Sequence, residues 1–272
     1  MGETVAVGVT RPSQNDLEKQ QNKQRRYEMT DKAISLNELD KKLFAMANAQ
    51  LNSKEYRDLY AVPLNRENAA FYILQRNHFV LNRRCCWAAV QCTAPFDVKG
   101  MIWEHEEDEL VGDRTRGVAD HVTLGMMEGE SVGLTRDDFA NSRPADGVQV
   151  AMYAWLHIAR DKPWLEAFAA SCILEIANSD AVVKSGGNAR RIGEKMRDEL
   201  GIGFEKQASN AEHMEIEIVH ATLLSKAAAK YGTSAEAQDQ ILRGAEASLA
   251  VDRVYKAALA EEMAALTGAV AA

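Results

Sequence analysis

The chain has 272 residues, 46% of them hydrophobic and 26% charged, and a net charge of −8. This is ordinary globular composition, and its acidic balance disfavours nucleic acid or an anionic membrane surface as a partner. Four cysteines (Cys85, Cys86, Cys92 and Cys172) follow no disulfide or Cys-x-x-Cys spacing, and no run of about 18 apolar residues is present to cross a bilayer.

The cysteines therefore read as reduced thiols, and the N-terminus lacks the basic-then-apolar layout of a signal peptide, so a cytoplasmic protein is expected. Residues 1–35 are polar and rich in Gln, Lys and Arg, which predicts a flexible leader. From there Ala, Leu, Glu, Met and Lys dominate, with five prolines and no Asn-Gly hairpin signal. Breakers near Pro63, Pro95, Gly112–Gly117, Ser142–Gly147, Asp161–Pro163, Ser185–Gly187, Gly201–Gly203 and Gly232 divide this part into helices. The expected spans are 37–60, 65–93, 96–111, 119–131, 147–160, 163–183, 188–200, 204–231 and 234–266, with a frayed tail TGAVAA. Short connections make neighbours antiparallel, so one all-α bundle over 36–266 is expected.

Several helices carry polar residues where apolar ones belong. Within 204–231, His213, Glu217, His220, Leu224 and Ala227 follow the spacing of one helix face. In 96–111 the face is Val98, Met101, Ile102, His105 and Glu109, although Glu104, Glu106, Glu107 and Asp108 surround the last two. In 163–183 it is Trp164, Phe168, Cys172 and Glu175, and His121 opens the helix after a Gly- and Arg-containing loop. A lone inward His is ordinarily a hydrogen-bonded core residue, a lone inward Glu a salt-bridge partner, and an acidic run such as EHEEDE a solvated face. Three such residues on one buried face are different, because an uncompensated buried charge is expensive and a cation compensates it directly. Imidazole nitrogen with carboxylate oxygen, and no thiolate, suits iron or manganese.

At these residues the chain resembles the haem-oxygenase-like diiron oxidases and oxygenases, which share a bundle with the TenA and PqqC proteins. The family's last ligand helix carries His-x3-Asp-x2-His, and this chain has HMEIEIVH, with Glu217 in place of Asp. The family's His-opened helix has its counterpart in HVTLGMMEGESVGLT from His121, an inward Glu follows 54 residues later at Glu175, and EHEEDELVG supplies the acidic helix end. The resemblance covers about residues 60–255. It implies a haem-oxygenase-like fold and two Fe(II) ions per chain, with manganese as the alternative. The implied ligands are Glu109, His121, Glu175, His213, Glu217 and His220, with His105 behind them. One ion would take Glu109, His121 and Glu175, the other Glu175, His213, His220 and Glu217. The implied reaction is O2-dependent oxidation of a small amine, amino acid or carboxylate by a homodimer, with no nucleic-acid or membrane partner.

The loop from Glu109 to His121 is longer than in the chlamydial para-aminobenzoate synthase type, so Glu104, Glu106 and Glu107 compete with Glu109 for the first position. Cys172 does not stand where a thiaminase nucleophile is expected. Three other readings stay open. One is a mononuclear Fe(II) enzyme built on His213, His220 and one carboxylate. A ferritin-like protein would need a second Glu-x-x-His besides Glu217-x2-His220. The third is a helical binding protein without metal. Arg76, Arg83 and Arg84, on a helix with Phe71, Tyr72, Phe79 and Trp87, are candidates for holding a substrate carboxylate.

Overall fold

The computed structural model describes residues 32–268. Most of the expected leader, 1–31, and the last four residues of the expected tail, 269–272, lie outside the described residues. The helices are α1 (Leu36–Gln50), α2 (Lys54–Ala61), α3 (Arg66–Thr93), α4 (Phe96–Val111), α5 (His121–Glu130) and α6 (Arg136–Asn141). They continue with α7 (Asp146–Asp161), α8 (Trp164–Asn178), α9 (Asn188–Leu200), α10 (Ala208–His220), α11 (Leu223–Tyr231) and α12 (Ala235–Gly268). The fold is all-α; no strand occurs among the described residues, and none of the described helices is long and apolar enough to cross a membrane.

Two expected helices are each divided. The span 37–60 breaks at Leu51–Ser53, where Asn52 and Ser53 turn their amides back to Ala49 and Gln50. The span 204–231 becomes a 3-10 turn (Phe204–Lys206), α10 and α11. Thr222 closes the second break by donating both its amide and its hydroxyl to the Val219 carbonyl, a local bond that competes with helix continuation. The span 163–183 stops at Asn178, because the Asn178 and Asp180 side chains accept the amides of Ala189 and Gly187. One helix was not foreseen: α6 is short and starts with a reciprocal capping box between Thr135 and Asp138, a signal present in the sequence TRDD.

Helix α8 is the axis of the bundle. From Leu165 to Ala177 only Leu174 escapes full burial, and α1, α3, α7, α9, α10, α11 and α12 all pack on it. A helix apolar on nearly every side has no solvent face and must be central. Its one charged residue near the C-terminal end, Glu175, is thereby carried into the interior. The long α3 and α12 flank it; by helix rise α3 spans about 42 Å.

Glycine allows the closest approach. A Cβ on Gly244 of α12 would lie 2.0 Å from the backbone oxygen of Glu166 on α8. Gly100, on the exposed side of α4, would meet nothing within 4 Å. We expect Gly100→Ala to stabilise the protein by about 0.5–1 kcal/mol, as alanine does in an open helix. Gly244→Ala should do the reverse and cost about 1–3 kcal/mol through overpacking. Thermal melts of the two variants check this, and a rise in Tm for Gly244→Ala would contradict the packing described.

Candidate metal centre

Helices α4, α5 and α10 converge beside the C-terminal half of α8. Helix α4 ends in His105, Glu106, Asp108 and Glu109, where the i, i+4 pair His105 and Glu109 shares the inner face. Gly112 stops α4 with φ +75°, and a Cβ there would strike the Val118 and Ala119 backbone, so the chain turns sharply into the 112–120 loop. Asp120 caps α5 by accepting the Thr123 amide, which fixes His121 as the first helical residue. Arg116 ties that loop to Glu212 on α10. Helix α8 brings Glu175, and α10 brings His213, Glu217 and His220.

All six residues expected from the sequence lie in this one region. Glu109, His121, Glu175, Glu217 and His220 are buried, and His213 is half-buried. Of the competing acids, Glu104 and Glu107 are exposed, whereas Glu106 is buried and bound to Arg84 at 2.7 Å. His121 Nδ1 stands 2.8 Å from Glu109 Oε2, and His220 Nδ1 3.9 Å from Glu109 Oε1. His105 Nε2 stands 3.7 Å from Glu175 Oε1. The ring centroids of His105 and His220 are 4.3 Å apart, and those of His121 and His213 4.5 Å. Two groupings therefore differ from those expected: His213 pairs with His121 rather than His220, and His105 stands among the inner residues instead of behind them. Ligand atoms of His105, Glu175 and His220 all fall within 4.8 Å of one another. The sequence signal for His105 was its place one turn before Glu109 on the same face. The extra methylene of Glu217 carries Oε1 to the Asn178 amide at 2.9 Å.

The charges are balanced by arginines from α3. Arg84 reaches Glu106 and, at 3.0 Å, Glu109; Arg83 reaches Glu175 at 3.4 Å and the Ser171 carbonyl; Arg76 holds the fully buried Glu128 at 2.9 Å. Sequence reasoning missed Glu128, whose only signal was its place two turns after His121. Burial works against ionising Glu109, but Arg84 and His121 outweigh it and hold the carboxyl well below the usual range. Burial also opposes ionisation of Glu175, and there His105 and Arg83 prevail. Glu217 has no such cation: burial first, then the Glu175 charge, pushes its carboxyl well above the usual range. For His105 burial is again the largest influence and lowers it, yet Glu106 and Glu175 together push it up to about 9. Burial and the neighbouring His121 push His213 down to about 3.

The histidines share a pattern. His105 Nδ1 faces Glu106 at 3.1 Å, His213 Nδ1 donates to the Ser209 carbonyl at 2.7 Å, and His220 Nε2 faces Asp108 at 3.4 Å. One nitrogen of each ring is thus held by an oxygen acceptor, which leaves the other to present its lone pair when the ring is neutral, a state His105 reaches by releasing a proton as a cation binds. His105 Nε2, His220 Nδ1, His121 Nδ1 and Glu217 Oε2 are all buried with no hydrogen-bond partner among the described residues. The 2.8 Å approach of His121 to Glu109 is not aligned as a hydrogen bond. Buried unpaired nitrogen and oxygen atoms cost free energy unless something accepts their lone pairs, so this donor set fits a divalent cation of the iron or manganese kind. Cys172 is fully buried and its thiol is pushed well above its ordinary value by burial, so it is no ready nucleophile.

The TENA/THI-4/PQQC family pattern matches residues 56–230, and the chain belongs to that family. No curated protein matches. Among solved structures, a domain of unknown function with a heme oxygenase-like fold from Shewanella denitrificans superposes with a TM-score of 0.66 at 16% identity, covering 84% of this chain and 93% of that one. A CADD-like protein of unknown function from Nostoc punctiforme gives 0.64 at 17%, covering 84% and 97%. A TenA homologue from P. horikoshii gives 0.55 at 15%, covering 82% and 100%. At these identities the likeness shows the haem-oxygenase-like fold.

A pH test follows from Glu217. A carboxyl raised in the folded state contributes its stability below its unfolded value, near 4.5, and loses it as pH rises towards the folded value. Without metal, Glu217→Gln should therefore raise Tm by several degrees at pH 7, and the gain should shrink as pH falls towards 4.5. A gain independent of pH would show that Glu217 carries no such penalty.

Proposed function

We propose that this member of the TENA/THI-4/PQQC family is a non-haem diiron oxidoreductase that uses O2 to oxidise a small amine, amino acid or carboxylate. One observation carries the reading: three histidines each have one ring nitrogen held by an oxygen acceptor, and four buried ligand-type atoms from α4, α5 and α10 are left without a hydrogen-bond partner among the described residues. Structural ion pairs do not need that arrangement, whereas metal ligands do.

His105, Glu175 and His220 would hold one ion, and Glu109, His121, His213 and Glu217 the other. When bound, the two ions supply the binding and reduction of dioxygen. The chain's own residues do the rest. Arg84 and Arg83 keep Glu109 and Glu175 ionised and oriented without occupying all their oxygens. Glu106, Asp108 and the Ser209 carbonyl fix the imidazole orientations. Glu217 gives up its proton when a cation replaces it, so loading is favoured by rising pH. A cavity of about 100 Å³ opens beside Glu109, Glu175, His213 and Glu217, and Phe79, Val80, Leu174 and Ala177 line its wall with apolar surface that excludes water from the reacting end.

A one-iron enzyme is the second reading, favoured by the compactness of the His105, Glu175 and His220 trio. Anaerobic Fe(II) titration separates the two. About two irons per chain are expected from the ligand count, one iron supports the second reading, and none overturns both. His220→Ala should lower iron binding at least about tenfold, the worth of a lost ligand or ligand support, with helix content by circular dichroism kept. His213→Ala should remove one iron of two, whereas a one-iron site without His213 should keep its metal.

A further inference from the structure

The arginines that looked suited to a substrate carboxylate each face an acid of the fold already, although Arg76 Nη2 and Arg84 Nε have no aligned hydrogen bond among the described residues. Arg76 faces Glu128, Arg83 faces Glu175 and the Ser171 carbonyl, and Arg84 faces Glu106 and Glu109. The cavity carries a fourth cation, and this one has no carboxylate within hydrogen-bond distance. Lys256 of α12 lines the end away from the candidate metal ligands, where Tyr56, Tyr72, Asp252 and Tyr255 also stand. Lys256 is buried, at 6% exposure, and its nearest carboxylate oxygen is Asp252 Oδ1 at 3.8 Å, beyond hydrogen-bond reach. The other oxygen, Asp252 Oδ2, accepts from Tyr56 Oη and Gln50 Nε2, both at 2.7 Å, which holds the carboxylate in place. The ammonium lies over the rings of Tyr255 and Tyr56, 4.8 and 5.3 Å from their centroids. Ring faces stabilise a cation but accept none of its N–H bonds in full.

An ammonium with three donors, enclosed and facing a cavity, invites an acceptor that the fold does not provide. Asp252 also limits what that acceptor is: it already offsets one charge, so a dianion at Lys256 would be repelled where a monoanion is tolerated. The walls between the two ends are Phe79, Val80, Tyr72 and Tyr255, which suit an aromatic or alkyl body.

We infer that Lys256 is a substrate-anchoring residue: it receives the carboxylate of a monocarboxylic acid with an apolar or aromatic body, whose far end is then directed at the candidate metal ligands. The inference rests on the proposed function for the meaning of that far end, but the binding itself needs no metal.

Isothermal titration of the full chain without added iron tests it. The probes are 3-phenylpropanoate, 4-phenylbutanoate and octanoate, each against its neutral primary amide. At least one acid should bind about tenfold or more tightly than its amide, as one charge-assisted hydrogen bond allows. In Lys256→Met the preference should collapse to within about twofold, and in Lys256→Arg it should persist in part, with melting curves checking that both variants fold. Equal binding of every acid and amide, no binding of any acid, or a full preference kept in Lys256→Met would overturn the inference. So would phenyl phosphate binding more tightly than all three acids. Because the assay contains no iron, a failed iron titration would sink the diiron reading alone.

Discussion

Desolvation of charge at the centre of the bundle governs the rest of this structure. Five carboxyl groups, Glu106, Glu109, Glu128, Glu175 and Glu217, are buried among α4, α5, α8 and α10. Each buried ion costs several kcal/mol unless it is paired in good geometry. Helix α3 answers with Arg76, Arg83 and Arg84 on its inner side, whose guanidiniums face Glu128, Glu175 and Glu109. Glu217 is left with only the Asn178 amide, and His105, His121 and His220 keep nitrogens with nothing to bind. Compensation is incomplete in this cluster, where four ligand-type atoms of His105, His121, Glu217 and His220 stay buried and unpaired.

That local incompleteness explains the surrounding architecture. An apolar α8 has to be central, so its Glu175 is central too. The sharp exit at Gly112, the Asp120 cap and the Arg116 ion pairs with Glu212 and Asp113 hold the 112–120 loop so that His121 arrives beside Glu109. These contacts sit outside the polar cluster, yet they set distances inside it. Precise placement comes from rigid elements and their supports rather than from the inner residues alone.

The cavity has two chemically unlike ends. One is rich in carboxylate and imidazole; the other carries Lys256, Asp252 and a group of tyrosines whose phenols burial pushes well above their ordinary value, Tyr56 and Tyr255 among them. Helix α3 lines both: α4, α8 and α10 complete the first end and α12 the second. A long molecule lying along α3 would touch both, which is why a single cavity can bind at one end and react at the other.

The sequence by itself determined a great deal. Helix-forming composition, few prolines and short breakers specified an all-α bundle, since those are local properties. The spacing of His213, Glu217 and His220, of His105 and Glu109, and of Glu175 within AFAASCILE placed polar atoms on buried faces, because a helix period is readable without knowing what the face meets. The family resemblance set them in order along the chain. Three things were decided only by tertiary structure. Helix ends inside 37–60, 163–183 and 204–231 depended on side chains such as Asn178, Asp180 and Thr222 finding backbone partners, some of them distant in sequence. Which imidazole stands next to which carboxylate depended on helix crossing, which put His105 with Glu175 and His121 with Glu109. What a cation meets depended on what lies opposite it: Arg76, Arg83 and Arg84 look available in sequence and face Glu128, Glu175, Glu106 and Glu109 in the fold, while Lys256, an ordinary lysine in an Ala-rich helix, is enclosed beside a cavity. Periodicity reports which way a residue faces; only packing across helices reports what it faces.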